Sequence, residues 1–461
     1  MLLAAGPMNG INPNAIRAFT SWVLVLCLWL VANFGFCQTP KGNAAKGYEA
    51  LTERAFVPGQ FPRSQIDNAW KLWGLSEKPA NYGQLFRERY GLSEAPYPNK
   101  GLPMGLKASR MPFGSDGASL DCLTCHGGSL LGESFPGLGN TMLDLQAIFE
   151  ELSTKGTKPI RTPYTFSNAR GTNEAGATAV YLGGLRNPDL SPRLPWRNLG
   201  LHDDLCEDVP AWWHLKRKKT MYATAEAEAA SVRSIMQFMM HPFNLTSAFN
   251  REEDTFRDIQ AWILSVEAPK WPWGLDSGKV TRGEVVFREN CSRCHGTKDH
   301  YPNKVIPLDE IGTDKTRYAG IEPAFGEFYN QSWFSKERNG WFGDGYKSQR
   351  SGGYQAPPLD GIWATAPYLH NGSIPTLEHL LNSKTRPSVF TRTFRTNEAD
   401  YDRVKVGWKT ISPAEGITGS ALEARKIYDT GKSGRGNQGH TFGDALTPAA
   451  RGDLIEFLKS L

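Results

Sequence analysis

The sequence predicts a mainly α fold of two similarly organised halves, each enlarged by long irregular loops. Three observations carry that expectation. The string Cys122-Leu123-Thr124-Cys125-His126 returns as Cys291-Ser292-Arg293-Cys294-His295, and a glycine follows each (Gly127, Gly296). The segment from Asp258 to Val266 matches that from Asp453 to Leu461 in residue type, with Asp, aliphatic, aromatic, aliphatic, Ser and aliphatic residues at the same offsets. Strand-like alternation of apolar and polar residues is sparse throughout. A chain of 461 residues with 40% apolar side chains has material for two or three domains.

Each C-x-x-C-H string is the attachment signature of a c-type haem. Two thiols at this spacing can add to the two vinyl groups of one porphyrin. The adjacent histidine then lies under the iron as its proximal ligand. The cofactor-binding residues are therefore Cys122, Cys125, His126, Cys291, Cys294 and His295, and the expected cofactor is two covalently bound haem c groups. A zinc knuckle needs four ligands grouped closely, and these pairs are far apart in sequence. A thioredoxin-like pair needs a βαβ context, which is absent from the sequence pattern.

The elements follow in chain order. Residues 1–37 carry one charged side chain, Arg17, ahead of an apolar run from Ala18 to Phe36. This reads as a secretory signal peptide cleaved after Cys37, and hence an exported, periplasmic or secreted protein. The alternative is an uncleaved membrane anchor, since the run is just long enough to span a thin bilayer. Export agrees with haem attachment outside the bacterial cytoplasm. Cysteine use agrees as well: once the haem thiols and the leader are set aside, only Cys206 remains, so no structural disulfide is expected.

Residues 38–268 form the first expected haem domain and close on the Asp258–Val266 helix. Inside it, Ala223–Met240 is rich in Ala and Glu and reads as helical, and Lys216-Arg-Lys-Lys219 reads as a solvated basic face. Ala268-Pro-Lys-Trp-Pro-Trp-Gly274 is the linker, because its prolines stop the preceding helix. Residues 275–461 form the second domain. Thr281–Asn290 reads as a helix running into Cys291. Thr447 is a good N-cap and Pro448 suits the first position of the closing helix. Leu454, Phe457, Leu458 and Leu461 make its apolar stripe.

Four further strings carry a resemblance. They are Val209-Pro-Ala-Trp-Trp-His-Leu-Lys-Arg-Lys-Lys-Thr-Met221, Gly361-Ile-Trp-Ala-Thr-Ala-Pro-Tyr-Leu-His-Asn-Gly-Ser-Ile-Pro-Thr-Leu377, Tyr401-Asp-Arg-Val-Lys-Val-Gly-Trp408 and Gly436-Asn-Gln-Gly-His-Thr-Phe442. With the two haem strings they resemble the di-haem cytochrome c peroxidase superfamily. The Trp-Trp-His and terminal Gly-His strings look closer to the branch that includes the bacterial rubber oxygenases. The resemblance implies unequal haems. One is closed by two histidines and serves electron transfer or tuning, and the other leaves its distal side open for dioxygen or peroxide. It also raises a bridging calcium, which some superfamily members hold.

The distal ligand of the second haem is expected to be His440, in a glycine-rich loop just before the closing helix, with His370 as its rival. The metal ligands are then His126, His295 and His440. For the first haem, Trp212, Trp213, His214, Met239, Met240 and His241 are the nearby candidates. The resemblance puts the Trp-Trp pair at an open distal pocket, and Trp213 is the expected catalytic residue. Met239 to His241 could instead cap the iron.

The expected protein is an oxidoreductase acting on peroxide, or using dioxygen on an unsaturated lipid or isoprenoid chain, with a redox partner protein. The alternative is a non-catalytic electron carrier with two six-coordinate haems. A net charge of +5 is small for this length and gives no sign of a nucleic-acid partner. No P-loop, nucleophile elbow or zinc-protease motif supplies another chemistry.

Overall fold

The computed structural model describes residues 42–153, 162–337, 345–413 and 419–461. The signal peptide expected over residues 1–37 lies outside them. Five helices position the site: α1 (Ala44–Glu53), α2 (Cys122–His126), α3 (Thr246–Ser265), α4 (Ser277–Asn290) and α5 (Pro448–Lys459).

The internal repeat is a pair of helix crossings. α1 packs on α3, and α4 packs on α5. Each pair touches at a glycine. A Cβ on Gly47 of α1 would sit 2.0 Å from the Asp258 carbonyl oxygen of α3, and one on Gly283 of α4 would sit 2.0 Å from the Asp453 carbonyl oxygen of α5. Only glycine lets the backbones come this close. The two aspartates are the first residues of the matching sequence segments. Their carboxylates hold the partner helix too. Asp258 accepts from the Asn43 backbone N–H at 2.6 Å, and Asp453 takes Arg282 through both oxygens at 2.8 and 2.9 Å. The expected caps of α5 are present, with the Thr447 hydroxyl accepting from the Ala450 N–H and Pro448 in the first turn.

The fold is mixed rather than mainly α: 39% of it is helical and 12% strand, with irregular loops. The difference lies in short antiparallel ladders that satisfy backbone groups of the glycine- and proline-rich insertions. β1 (Phe61–Pro62), β2 (Leu106–Arg110) and β3 (Asp116–Leu120) form a sheet in the order β1-β3-β2, with Ala108 opposite Ala118. β3 runs directly into Asp121 and so delivers Cys122 to the site. Strands of two to five residues are too short for their period to show in sequence.

The stretch Ala223–Met240 is likewise not one helix. It holds a strand at Ala227–Glu228, one helical turn at Val232–Ile235 and a 3-10 turn at Gln237–Met239. Tertiary contacts override its helical composition. Glu337 accepts from the Ser231 hydroxyl and from the backbone N–H groups of Val232 and Arg233, which fixes a helix start there.

The cores are shared between the halves. The first contains Phe61, Phe86, Tyr90 and Ile148 together with Ile321, Phe328 and Leu422 from the later sequence. The second contains Trp363, Tyr401, Trp408 and Leu454 together with Leu130, Leu138 and Trp213 from the earlier sequence. The linker is docked: Trp271 packs edge-on to Trp363, and Trp273 stacks on Tyr401. Among the described residues no helix is long and apolar enough to cross a membrane.

Candidate functional site

Asp121 starts the first site. Its carboxylate accepts from the Leu123 N–H at 2.7 Å, and the Thr124 hydroxyl takes the Asp121 N–H at 3.2 Å and donates to the Gly105 carbonyl at 2.6 Å. This reciprocal cap holds one turn of helix, which sets Cys122, Cys125 and His126 on adjacent positions. Gly105 has φ +92, and a Cβ there would lie 2.5 Å from the Thr124 Cα, so the close passage needs glycine. The second site forms where α4 runs into the turn Ser292–His295.

All four motif cysteines and both motif histidines line one cavity of about 950 Å³. His370, His440, Trp212 and Phe287 line it too. None of the cysteines is paired in a disulfide. Burial pushes the Cys125 thiol up to about 12 and the Cys291 thiol to about 11, and it raises Cys122 as well, so these thiols stay protonated.

The residues fit haem c on two observations. First, His295 donates from Nδ1 to the Pro357 carbonyl at 2.8 Å. That bond leaves Nε2 as the free nitrogen, which is how a metal-binding imidazole is normally oriented. His126 has no such bond: its Nδ1 is buried without a hydrogen-bond partner, and burial lowers its pKa to about 4. Burial lowers His295 as well, and it takes His440 to about 3. All three imidazoles are therefore neutral, the form that binds a metal.

Second, the His295 and His440 rings lie edge-on to each other, with centroids 6.1 Å and planes 62° apart. Two imidazole–metal bonds of ~2.0–2.1 Å, plus the distance from nitrogen to ring centre, put two collinear ring centres roughly 6 Å apart. The gap between His295 and His440 has the size of one axial pair. His440 is held by its backbone, with its N–H donating to the Ile311 carbonyl at 2.8 Å, and its Nδ1 is buried without a hydrogen-bond partner. His370 instead stacks on Tyr354, with centroids 4.1 Å apart and planes 17° apart.

The surroundings of His126 differ. The ring packed on it is Trp212, with centroids 4.7 Å apart and planes 24° apart. Trp213, the expected catalytic residue, is buried in the second core outside the cavity wall, and its indole N–H donates to the Asp360 carbonyl at 2.8 Å. His214 donates from Nε2 to the same carbonyl at 2.8 Å, and Arg217 pairs with the Asp360 carboxylate at 2.8 Å. Trp213, His214 and Arg217 thus anchor the first motif's neighbourhood to Asp360, three residues beyond the carbonyl that holds His295. Met239 and Met240 are buried in the helical core, and His241 reaches the cavity wall. Cys206 is fully buried, as a small apolar residue would be.

Sequence reasoning named the Trp-Trp pair but not which indole meets His126, because neighbouring residues in a 3-10 turn point in different directions. It also missed the Pro357 carbonyl, since a backbone acceptor leaves no mark on residue type. Among the described residues no group of three or more His, Cys, Asp or Glu side chains is placed to hold a metal ion. The calcium that the resemblance raises as possible has no such cluster among these residues.

Residues 353–391 match the RoxA-like, cytochrome c-like family. A cytochrome c-like domain implies haem c and a haem-containing oxidoreductase type of protein. The RoxA-like stretch contains Pro357, whose carbonyl accepts from His295, Asp360, whose carbonyl accepts from Trp213 and His214, and His370. Two uncharacterised proteins of Sinorhizobium fredii are also similar. One, y4iM, is 32% identical over 228 residues, which cover 41% of this chain and 50% of that protein. The other, y4iJ, is 29% identical over 264 residues, covering 43% and 42% respectively. The chain thus spans half or less of the length of these curated relatives.

Proposed function

We propose that the protein is an exported di-haem c-type cytochrome whose two haems are unequal: one closed by His295 and His440, the other open beside His126. It acts on peroxide, or uses dioxygen on an unsaturated substrate, with a redox protein as partner. The observation that carries this reading is the asymmetry of the two motif histidines. His295 faces a second imidazole at the spacing of an axial pair, whereas His126 is packed by an indole. An iron held by both imidazoles would offer no position to an oxidant, so chemistry would belong to the other site.

Haem iron, when bound, supplies the one-electron and oxygen chemistry. The chain decides access and surroundings. Trp212 holds the His126 imidazole by stacking. Trp213 and His214 join that segment to the Asp360 carbonyl, and Pro357 holds His295, so a short covalent and hydrogen-bonded route links the two histidines. In this reading Trp213 lies on that route as an electron relay. The cavity wall near Cys125 is aromatic, with Phe149 stacked on Phe166 at 3.9 Å and Tyr164 and Tyr181 beside them, which suits an apolar substrate.

Electron paramagnetic resonance of the ferric protein tests the proposal. It is expected to give one low-spin signal of bis-imidazole type and one high-spin or weakly ligated signal. Two low-spin six-coordinate centres would instead make the protein an electron carrier, with His241 as the first residue to examine as a cap.

A further inference from the structure

The loop that carries His440 is gripped by a single arginine from outside it. Arg386 has five N–H donors in a rigid fork, and all five end on backbone carbonyls. Nε donates to His379 at 3.0 Å. Nη1 donates to Asn437 and Gly439, both at 2.7 Å. Nη2 donates to Leu380 and His440, both at 3.1 Å. Two of these carbonyls lie in the short helix Leu377–Leu381, and three belong to the loop Asn437–His440.

The grip has a physical reason. His440 has φ +45, a left-handed conformation that a residue with a Cβ adopts only when its surroundings impose it. Three carbonyls of one short loop turned toward the same point repel one another unless a cation lies between them. A guanidinium satisfies them together, whereas the point charge of lysine reaches fewer. Asn437 adds a second tie from the loop to the same segment, donating to the Pro387 carbonyl at 2.9 Å. Gly439 seats the loop against Gly312, where a Cβ would come within 2.2 Å of backbone.

We infer that Arg386 is a positioning residue that holds His440 over the cavity and thereby sets the coordination state of the second haem. The inference rests on the proposed pairing of His295 with His440 and adds what enforces it. Arg386 is not among the residues that line the cavity. With the arginine removed, the loop would relax from its left-handed turn and the imidazole would withdraw from its place over the cavity.

The test uses the haem-loaded full chain. In Arg386→Met the reduced protein is expected to bind two carbon monoxide molecules in place of one, and its low-spin ferric signal of bis-imidazole type is expected to fall. A single cooperative unfolding transition and a parent-like circular dichroism spectrum separate this opening from a general loss of folding. Arg386→Lys, keeping the charge but not the fork, should give a mixture of the two states. His440→Gly is the control. Should that variant fail to open a second carbon monoxide site, the His295–His440 pairing fails rather than the arginine's role. Should it open one while Arg386→Met and Arg386→Lys both keep the parent's bis-imidazole signal and single carbon monoxide site, the arginine does not position the ligand. If Arg386→Met does not mature, the lysine variant decides alone: unchanged ligation overturns the inference, and a mixture supports it.

Discussion

At the scale of residues, the chemistry is concentrated in buried histidines kept neutral by their surroundings. His214 is a case outside the haem motifs. Burial lowers its pKa from 6.5 to about 4, only partly offset by its hydrogen bond to the Asp360 carbonyl. The folded protein therefore keeps His214 unprotonated while the unfolded chain takes up a proton. Between pH 6.5 and 4 the unfolded state binds more protons, so this contribution is complete above pH 6.5 and is lost as pH falls. Its size is at most roughly 3 kcal/mol. Chemical denaturation at pH 7 and pH 4.5 is expected to show a smaller loss in His214→Gln than in the parent, and equal losses would contradict the assignment. Much at this scale was legible in sequence. The two C-x-x-C-H strings and the glycine-rich loop of His440 stood out as patterns, and the structure places their cysteines and histidines on one cavity. The division of labour between Trp212 and Trp213 was not legible, because side chains adjacent in sequence diverge in space.

At the scale of elements, the two glycine crossings are the clearest trace of a repeated architecture. α5 was readable from its stripe and its caps, and α3 from the matching segment. α1 was not, because β1–β3 and their loops separate it from the motif it supports, whereas α4 adjoins Cys291 directly. The short strands escaped for the same reason that they matter: they are made by pairing across loops, not by local periodicity. A mutation pair tests the crossings. Gly283→Ala drives a methyl group into the Asp453 carbonyl and is expected to cost about 1–3 kcal/mol, the usual penalty for overpacking. Gly452→Ala, in the same helix pair but with open space around it, is expected to be stabilising by about 0.5–1 kcal/mol. Thermal unfolding of the two variants should move in opposite directions.

At the scale of the whole molecule, the halves are bound together by side chains that cross between them. Arg425 reaches Asp144 through Nε, 3.0 Å from each carboxylate oxygen, and Glu150 at 3.2 Å through Nη2. Asp144 is fully buried and also caps the helix Leu145–Leu152. Arg425→Met leaves that carboxylate without its cation and is expected to cost about 3–5 kcal/mol, read as a lower unfolding midpoint. Replacing Asp144 as well should recover part of the loss. None of this could be read from a linear chain, since the partners are hundreds of residues apart and each has the appearance of an ordinary surface charge. What the shared cores and crossing ion pairs accomplish is to bring two distant attachment motifs onto one cavity. The central claim is that this cavity holds two haems of which one is open. The most direct measurement is a carbon monoxide titration of the reduced protein with the haem content counted in the same sample by pyridine haemochrome. The account predicts two haem c groups and one carbon monoxide per chain; no haem, or two haems that bind none or two, would contradict it.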